Sequence, residues 1–414
     1  MNASRKSLAA VAVAVSLVAG GGYLAGNSVA SPSGSGVSSE FYPMQPYKHW
    51  SVVSFGDVHI EAEAEMPIAA QGKLSWSNTN VMRKYEEDQR HALIAGELDF
   101  EQSNGELKLL SKQAKVAIDN PGNLDVLMED GNGAQVMPHI VQKGEGYDSS
   151  PRVEAQWQPS AAEDFELGKG DFDSLFNQGE ASGTAQRIGR IAGSQCVNDI
   201  ANVLTAESEG DGNVVLPLKE GINYWNVSSA ELNNTREIKE KNGSPQDSIL
   251  VINVTDAGPI NLNLVDNVGA HKLGHVLLNA PNVSELKISG DSINWSILAP
   301  NATFEKTSGN TQGHVVVNSA KLGGSEEHLN PEHEFPWALK DCTEPTEPTE
   351  PTEPTEPTEP TEPTEPTEPT EPTEPTEPTE PTEPTEPTEP TEPTEPTEPT
   401  EPTEPTEPTE PTEP

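Results

Sequence analysis

Short apolar segments, separated by turn-forming residues, recur about every ten residues within positions 284–324. The segments centre on Leu286, Trp295, Phe304 and Val315, and glycine, proline and asparagine lie between them. Apolar and polar residues alternate within the segments, as they do in a β-strand with one buried side. Strands this short and this evenly spaced predict a sandwich, a barrel or a stack of β-coils.

The same pattern predicts further strands elsewhere in the chain. Residues 51–60, 68–74 and 92–98 are short apolar or alternating segments, and the last two contain a glycine where a coil could turn. Residues 248–254 are apolar on both sides, which indicates a strand covered on both sides. Residues 119–159 are rich in glycine, asparagine and proline, and we expect a long loop there.

A helical segment is predicted over residues 165–204, where apolar residues recur at spacings of three and four. Gly179, Gly183 and Gly189 fall inside it, and we expect them to interrupt the helix, which favours two helices over one. The residue pattern therefore predicts a mainly β domain with one or two flanking helices.

The last 72 residues, 343–414, are the triplet Thr-Glu-Pro repeated 24 times. Proline fixes its own φ and pushes the preceding glutamate toward extended backbone, so we expect a disordered or polyproline II tail. At ~3.1 Å per residue such a tail reaches roughly 220 Å. It has no apolar side chain with which to build a core, and the sequence therefore predicts a spacer.

The net charge of −44 comes partly from this tail, which supplies 24 of the 68 acidic residues. The remaining residues carry −20, which argues against nucleic acid and anionic membranes as partners.

The N-terminus has the pattern of a secretory signal peptide. Arg5 and Lys6 precede the apolar segment 8–24, and small residues end at Ala30. The alternative, a membrane anchor, is disfavoured because three glycines at positions 20–22 break the apolar segment. We therefore expect export, and no integral membrane segment in the mature chain.

Cys196 and Cys342 are the two cysteines, 146 positions apart. In an exported protein such a pair predicts a disulfide, although the sequence does not determine its geometry. A nucleophilic Cys196 is the weaker alternative, because no histidine or lysine flanks it.

The sequence contains only weak matches to catalytic and metal-binding motifs. His271 and His275 have the spacing of a zinc-binding helix without its glutamate, and His328 and His333 lie among glutamates that are better explained as a solvated loop. Residues 130–133 resemble part of a calcium loop but favour a plain turn. No Gly-x-Ser-x-Gly motif occurs. We therefore predict no enzyme activity, no cofactor and no metal site.

Several segments together resemble one family, the choice-of-anchor A domain of bacterial surface proteins. The resemblance spans about residues 50–337 and is most specific at residues 275–281, 286–290, 296–302, 313–317 and 334–336. It implies a β-solenoid-like adhesive domain with a helix alongside, carried on a variable stalk and anchor. The family's anchor is missing here, because the chain stops at the repeat without an LPxTG-like motif, a hydrophobic stop-transfer segment or a basic tail, and the DNA downstream of residue 414 would show whether a sorting signal follows.

The predicted organisation is a signal peptide (1–30), a flexible leader (31–49), the β-domain (50–337) and the Thr-Glu-Pro stalk (343–414). It favours a secreted, cell-wall-associated adhesin of a Gram-positive bacterium whose partner is a host matrix or surface polymer. A structural wall protein is the alternative, and an ice-binding protein or a secreted hydrolase is more remote. The candidate ligand-face aromatics are Trp76, Trp157, Trp225 and Trp295.

Overall fold

A computed structural model describes residues 39–82, 91–110, 115–156, 164–241, 243, 245–265, 275–306, 308–323, 328–329 and 335–342. The predicted signal peptide, residues 31–38 of the leader and the Thr-Glu-Pro repeat lie outside these residues. The domain boundaries proposed from the sequence therefore remain predictions.

The described chain is mainly β with short helical segments, which confirms the predicted class. The helices are α1 (Asp171–Leu175), α2 (Gln178–Gly193), α3 (Val197–Ile200) and α4 (Ser229–Asn233). In chain order the strands are β1 (Glu40–Phe41), β2 (Val52–Ser54), β3 (Val58–Ile60), β4 (Glu63–Ala64), β5 (Ile68–Val81), β6 (His91–Leu98), β7 (Asn104–Leu109), β8 (Lys115–Ile118), β9 (Leu124–Glu129), β10 (Gln135–Gln142), β11 (Arg152–Ala155), β12 (Phe165–Leu167), β13 (Asn202–Val203), β14 (Glu207–Gly210), β15 (Asn213–Leu216), β16 (Gly221–Val227), β17 (Glu237–Glu240), β18 (Ser248–Val254), β19 (Ile260–Leu264), β20 (Val276–Asn279), β21 (Glu285–Gly290), β22 (Trp295–Lys306), β23 (Val315–Leu322), β24 (His328–Leu329) and β25 (Leu339–Lys340).

One long ladder of parallel strands, which we call the helix-side ladder, runs the length of the domain. Its spatial order is β13, β16, β18, β20, β22, β23, β2, β5, β6, β8 and β12. The order in space differs from the order in the chain, because the N-terminal β2 lies between β23 and β5. The first and last coils therefore meet in the middle of the ladder.

Helix α2 lies in the segment that connects the two ends of this ladder, because the chain leaves the ladder at β12 and re-enters it at β13, at the opposite end. Asn177 caps the helix by accepting a hydrogen bond from the Glu180 amide at 3.1 Å. Its apolar side packs against the ladder through buried residues such as Ala185 and Ile188. The prediction that three glycines interrupt the helix is wrong: α2 runs through all of them, and the breaks fall before Gln178 and after Gly193.

A second parallel ladder, the exposed ladder, consists of β19, β21, the end of β22, the end of β23, β3 and the middle of β5. A third ladder joins β24, β4, the end of β5, β7 and β11, and the antiparallel β10 and β9 extend it. The prediction of a long loop over residues 119–159 is therefore wrong, because these residues contain β9, β10 and β11. The turn formers at residues 130–133 make only the hairpin turn between β9 and β10.

The core lies between the ladders and is filled by inward-facing apolar side chains, including the fully buried Trp76, Trp295 and Phe304. All seven residues of β18 are buried, which confirms the predicted strand covered on both sides. Lys306 is a polar exception with no exposed surface, and its ammonium group donates to the carbonyls of Asp291 and Ser308. None of the helices in the described residues is long and apolar enough to cross a membrane.

The two ends of the described chain are fastened to each other and to the helices. β1 pairs with β25 in antiparallel register, and a disulfide joins Cys196 at the start of α3 to Cys342. Arg187 of α2 donates to Asp341 at 2.6 Å and lies 3.8 Å above the ring centre of Phe41.

Candidate binding surface

The outward side of the exposed ladder, which we call the ladder face, carries a row of polar side chains in strict register. Inward positions on the same strands are apolar, as alternation along a strand requires. The row contains one outward residue from each successive strand: Asn261, Lys287, Glu305, Lys321, His59 and Ser75. At a strand spacing of about 4.8 Å it extends over roughly 24 Å.

Charges of opposite sign alternate over Lys287, Glu305 and Lys321 in this row, and one ion pair joins neighbouring strands. The ammonium group of Lys287 lies 3.0 Å from a carboxylate oxygen of Glu305. His59 contacts the Ser75 hydroxyl at 2.8 Å and the Glu61 carboxylate at 3.1 Å through its two ring nitrogens. Because these groups are exposed or half-buried, each pair contributes little stability, and their main effect is to hold charges at fixed spacing.

A neighbouring row begins with Glu285, Thr303 and Ser319 and reaches Lys73 on β5. The Ser319 hydroxyl donates to the Thr303 hydroxyl at 2.9 Å, and Lys73 lies 3.7 Å from Glu97. Neither row is a ladder of threonines. The face offers rigid, regularly spaced charges and hydroxyl groups instead, which suits contact with a hydrated polymer or a protein surface.

Three of the four predicted ligand-face aromatics, Trp76, Trp225 and Trp295, do not lie on this face. Trp76 and Trp295 are 0% exposed, and Trp225 is 5% exposed. The Trp76 indole donates to the Gly105 carbonyl at 3.3 Å and packs edge-on against Phe100. These side chains belong to the core, because each occupies an inward position of its strand. Trp157 lies outside the described residues.

Trp225 also borders a cavity of about 520 Å³ between β14, β15 and α4. Glu231 lines this cavity, but its carboxylate already accepts hydrogen bonds from the amide and hydroxyl of Ser228, which caps α4. The cavity therefore lacks a free charged group at that position.

One group of metal-type side chains occurs in the described part of the chain: His91, Glu166 and Asp171. Lys115 and His91 donate to the Glu166 carboxylate at 2.6 and 2.8 Å, and Lys169 lies 3.6 Å away. Burial alone would raise the pKa of Glu166, but the hydrogen bonds from Lys115 and His91 outweigh it and lower the pKa to about 2. Two ammonium groups already neutralise this carboxylate, so the arrangement fits an ion-pair network better than a metal site.

The other weak motifs make no site among the described residues. The Asp130 carboxylate accepts hydrogen bonds from the amides of Asn132 and Ala134, which is a turn. Of the histidines weighed as metal ligands, His271, His333 and the side chain of His328 lie outside the described residues, and the His275 ring packs against Trp337.

Sequence analysis missed the ladder face as a site although its signal was present. The alternation predicted for the segment around Leu286 is confirmed, because Glu285 and Lys287 lie on the opposite side of β21 from Leu286 and Ile288. What sequence analysis lacked was the register between strands, which brings Lys287, Glu305 and Lys321 into one row.

Comparison with known proteins adds one finding. No curated protein and no solved structure matches the chain. A family model described as "Putative Ice-binding-like adhesive domain" matches residues 43–329. This span contains the helix-side ladder, α2 and the ladder face. The chain therefore belongs to the ice-binding-like adhesive domain family.

Proposed function

We propose that this protein is an exported cell-surface adhesin that contacts a host matrix or surface polymer through the ladder face. The observation that carries the proposal is the registered row of alternating charges on an exposed parallel ladder. Membership of an adhesive domain family supports it. The parallel ladders also support a β-solenoid-like architecture, as the resemblance to choice-of-anchor A domains implies.

The Thr-Glu-Pro repeat is assigned the role of a stalk that carries the domain away from the cell wall. A repeat with one charge sign and no large apolar side chain offers no anchor for a specific interface. The proposal gives the chain no catalytic step and no cofactor. The alternative is a structural role without adhesion, and the experiment must distinguish it from the adhesin.

The test displays the full chain on beads and measures retention on collagen, fibronectin, mucin and intact host cells. Lys321→Glu reverses an exposed charge in the middle of the row, and we expect retention to fall about fivefold, which corresponds to ~1 kcal/mol. Lys143→Glu, a matched change on the hairpin turn after β10, should leave retention unchanged. Absence of retention on every surface would support the structural role, and equal retention by both variants would remove the ladder face from the proposal.

A further inference from the structure

A groove of about 500 Å³ lies between the C-terminal half of α2 and the ends of β16 and β18. This volume falls within the range of about 300–1,000 Å³ typical of small-molecule sites. The groove borders the helix-side ladder and is separate from the ladder face. Its lining includes Gln186 and Arg190 from the helix, Asn226 and Asn253 from the sheet, and Asn282 from the turn after β20.

Two glycines on one side of α2 create the groove. Gly189 and Gly193 are four residues apart and therefore lie on the same side of the helix. A Cβ at Gly189 would contact the Asn253 amide oxygen at 3.6 Å, whereas a Cβ at Gly193 would meet nothing within 4 Å. The space beside Gly193 is thus open, and the helix approaches the sheet closely at Gly189.

The floor of the groove is part of a ladder of asparagines in register, Asn226, Asn253 and Asn279. The Asn253 amide donates to Asn226 at 2.7 Å, and Asn279 donates to Asn253 at 2.9 Å. Asn226 and Asn279 also donate to helix carbonyls, those of Ala192 and Ala185. These bonds hold the amides rigidly and use one N–H of Asn226 and one of Asn253. The second N–H of each carries no hydrogen bond in the described part of the chain.

Arg190 is the one charged residue of the lining, in a protein whose net charge is −44. Its guanidinium is exposed and makes no ion pair with any described residue, in contrast to Arg187 and Arg152, which are paired with carboxylates. A guanidinium binds a carboxylate through two parallel hydrogen bonds. An unpaired arginine beside uncharged amides therefore favours an anion that also carries hydroxyl groups.

We propose that this groove binds a sugar residue that bears a carboxylate, of the uronic acid or sialic acid class. Arg190 pairs with the carboxylate, and the amides of Asn226 and Asn253 bind the hydroxyl groups, each of which both donates and accepts. The site lies outside the ladder face, so it extends the proposed function without depending on it.

The test measures binding of sugars to the full chain by calorimetry. Three probes are used: oligomers of glucuronic acid, oligomers of galacturonic acid, and a sialylated trisaccharide, each with a counterpart whose carboxyl is reduced to an alcohol. We expect at least one acidic probe to bind and its neutral counterpart to bind at least about tenfold more weakly, because a hydrogen-bonded ion pair is lost. The probe that binds identifies the class of acid.

Two variants locate the site. Arg190→Gln should weaken binding about tenfold or more, and Gly193→Leu should weaken it by filling the groove while Arg190 is retained. Lys143→Gln removes one positive charge at a distance and should leave binding unchanged. Circular dichroism confirms that each variant is folded; Arg190 is exposed, so its variant should fold. The proposal is overturned if no acidic probe binds, if neutral and acidic sugars bind equally, or if folded Arg190→Gln binds as the parent chain does.

Discussion

His314 should make the domain lose stability in mild acid. Its side chain is 1% exposed and lies beside the first coil, where its Nδ1 is 2.6 Å from the Trp50 carbonyl oxygen. A carbonyl only accepts hydrogen bonds, so Nδ1 carries the proton of the neutral ring. The other ring nitrogen, Nε2, is buried and has no hydrogen-bond partner among the described residues. Protonation would place a charge on this nitrogen without an acceptor.

Burial lowers the pKa of His314, the Trp50 carbonyl opposes this and the nearby His49 adds to it, and the net result is a pKa of about 4. The unfolded value is about 6.5. Between these values the unfolded chain binds more protons than the folded one, so the free energy of unfolding falls as the pH falls. The contribution is complete above about pH 6.5 and is lost by about pH 4. With 1.36 kcal/mol for each pKa unit, the total is about 3 kcal/mol.

The assay is urea unfolding, followed by tryptophan fluorescence, of the full chain and of His314→Asn at pH 7.5 and pH 4.5. Asparagine retains a donor for the Trp50 carbonyl but does not titrate in this range. The other carboxylates and histidines contribute equally to both proteins, so the difference between the two pH profiles isolates His314. We expect the parent chain to lose about 2–3 kcal/mol more than the variant. Equal losses, or an NMR titration that places the His314 pKa near 6.5, would refute the reasoning.

Three further outcomes are expected. Reduction of the bond between Cys196 and Cys342, or alanine at both positions, should lower the free energy of unfolding by several kcal/mol, up to ~5 from loop entropy, whereas an unchanged urea midpoint would contradict this. Gly290→Ala should cost ~2 kcal/mol or more, because φ is +88° and the new Cβ would lie 1.9 Å from the Leu264 carbonyl oxygen; Gly131→Ala, in open space, should cost less than about 0.5 kcal/mol. The full chain should show no thermal hysteresis in an ice-growth assay, because neither row of the ladder face is a threonine ladder; measurable hysteresis would revive the ice-binding alternative.

The strands predicted correctly from the sequence are those whose own pattern of apolar and polar residues reflects which of their sides are buried. β21 alternates because one side of the exposed ladder meets water, and β18 is apolar on both sides because the core covers one side and α2 the other. The prediction failed over residues 119–159, where polar outward residues on β9 to β11 resemble a loop. It also failed over α2, where Gly189 permits close approach to Asn253 rather than ending the helix.

The candidate site was harder to predict because it depends on contacts between distant residues. Trp76 lies two positions from Leu74, on the same side of β5, so the alternation of side chains along a strand could have placed it in the core. The row formed by Lys321 and His59 could not be found in this way. These residues are 262 positions apart, and no local pattern indicates that the last coil stacks on the first.

The junction between those two coils also concentrates the sensitive contacts of the domain. β2 pairs with β23 on one side and β5 on the other, so a chain that adds coils one after another from the N-terminus cannot complete the stack. The later coils must dock on the first one, a contact of high sequence separation that favours slow folding. His314 lies in this junction, with its Nδ1 at the Trp50 carbonyl. The β1–β25 pair joins the two ends of the described chain, and the disulfide ties Cys342 to Cys196 at the start of α3. Acid should therefore weaken the domain first in the middle of the helix-side ladder, where β23 pairs with β2. The outermost strands of this ladder, β13 and β12, should stay paired longer than they would if the ladder opened from its ends.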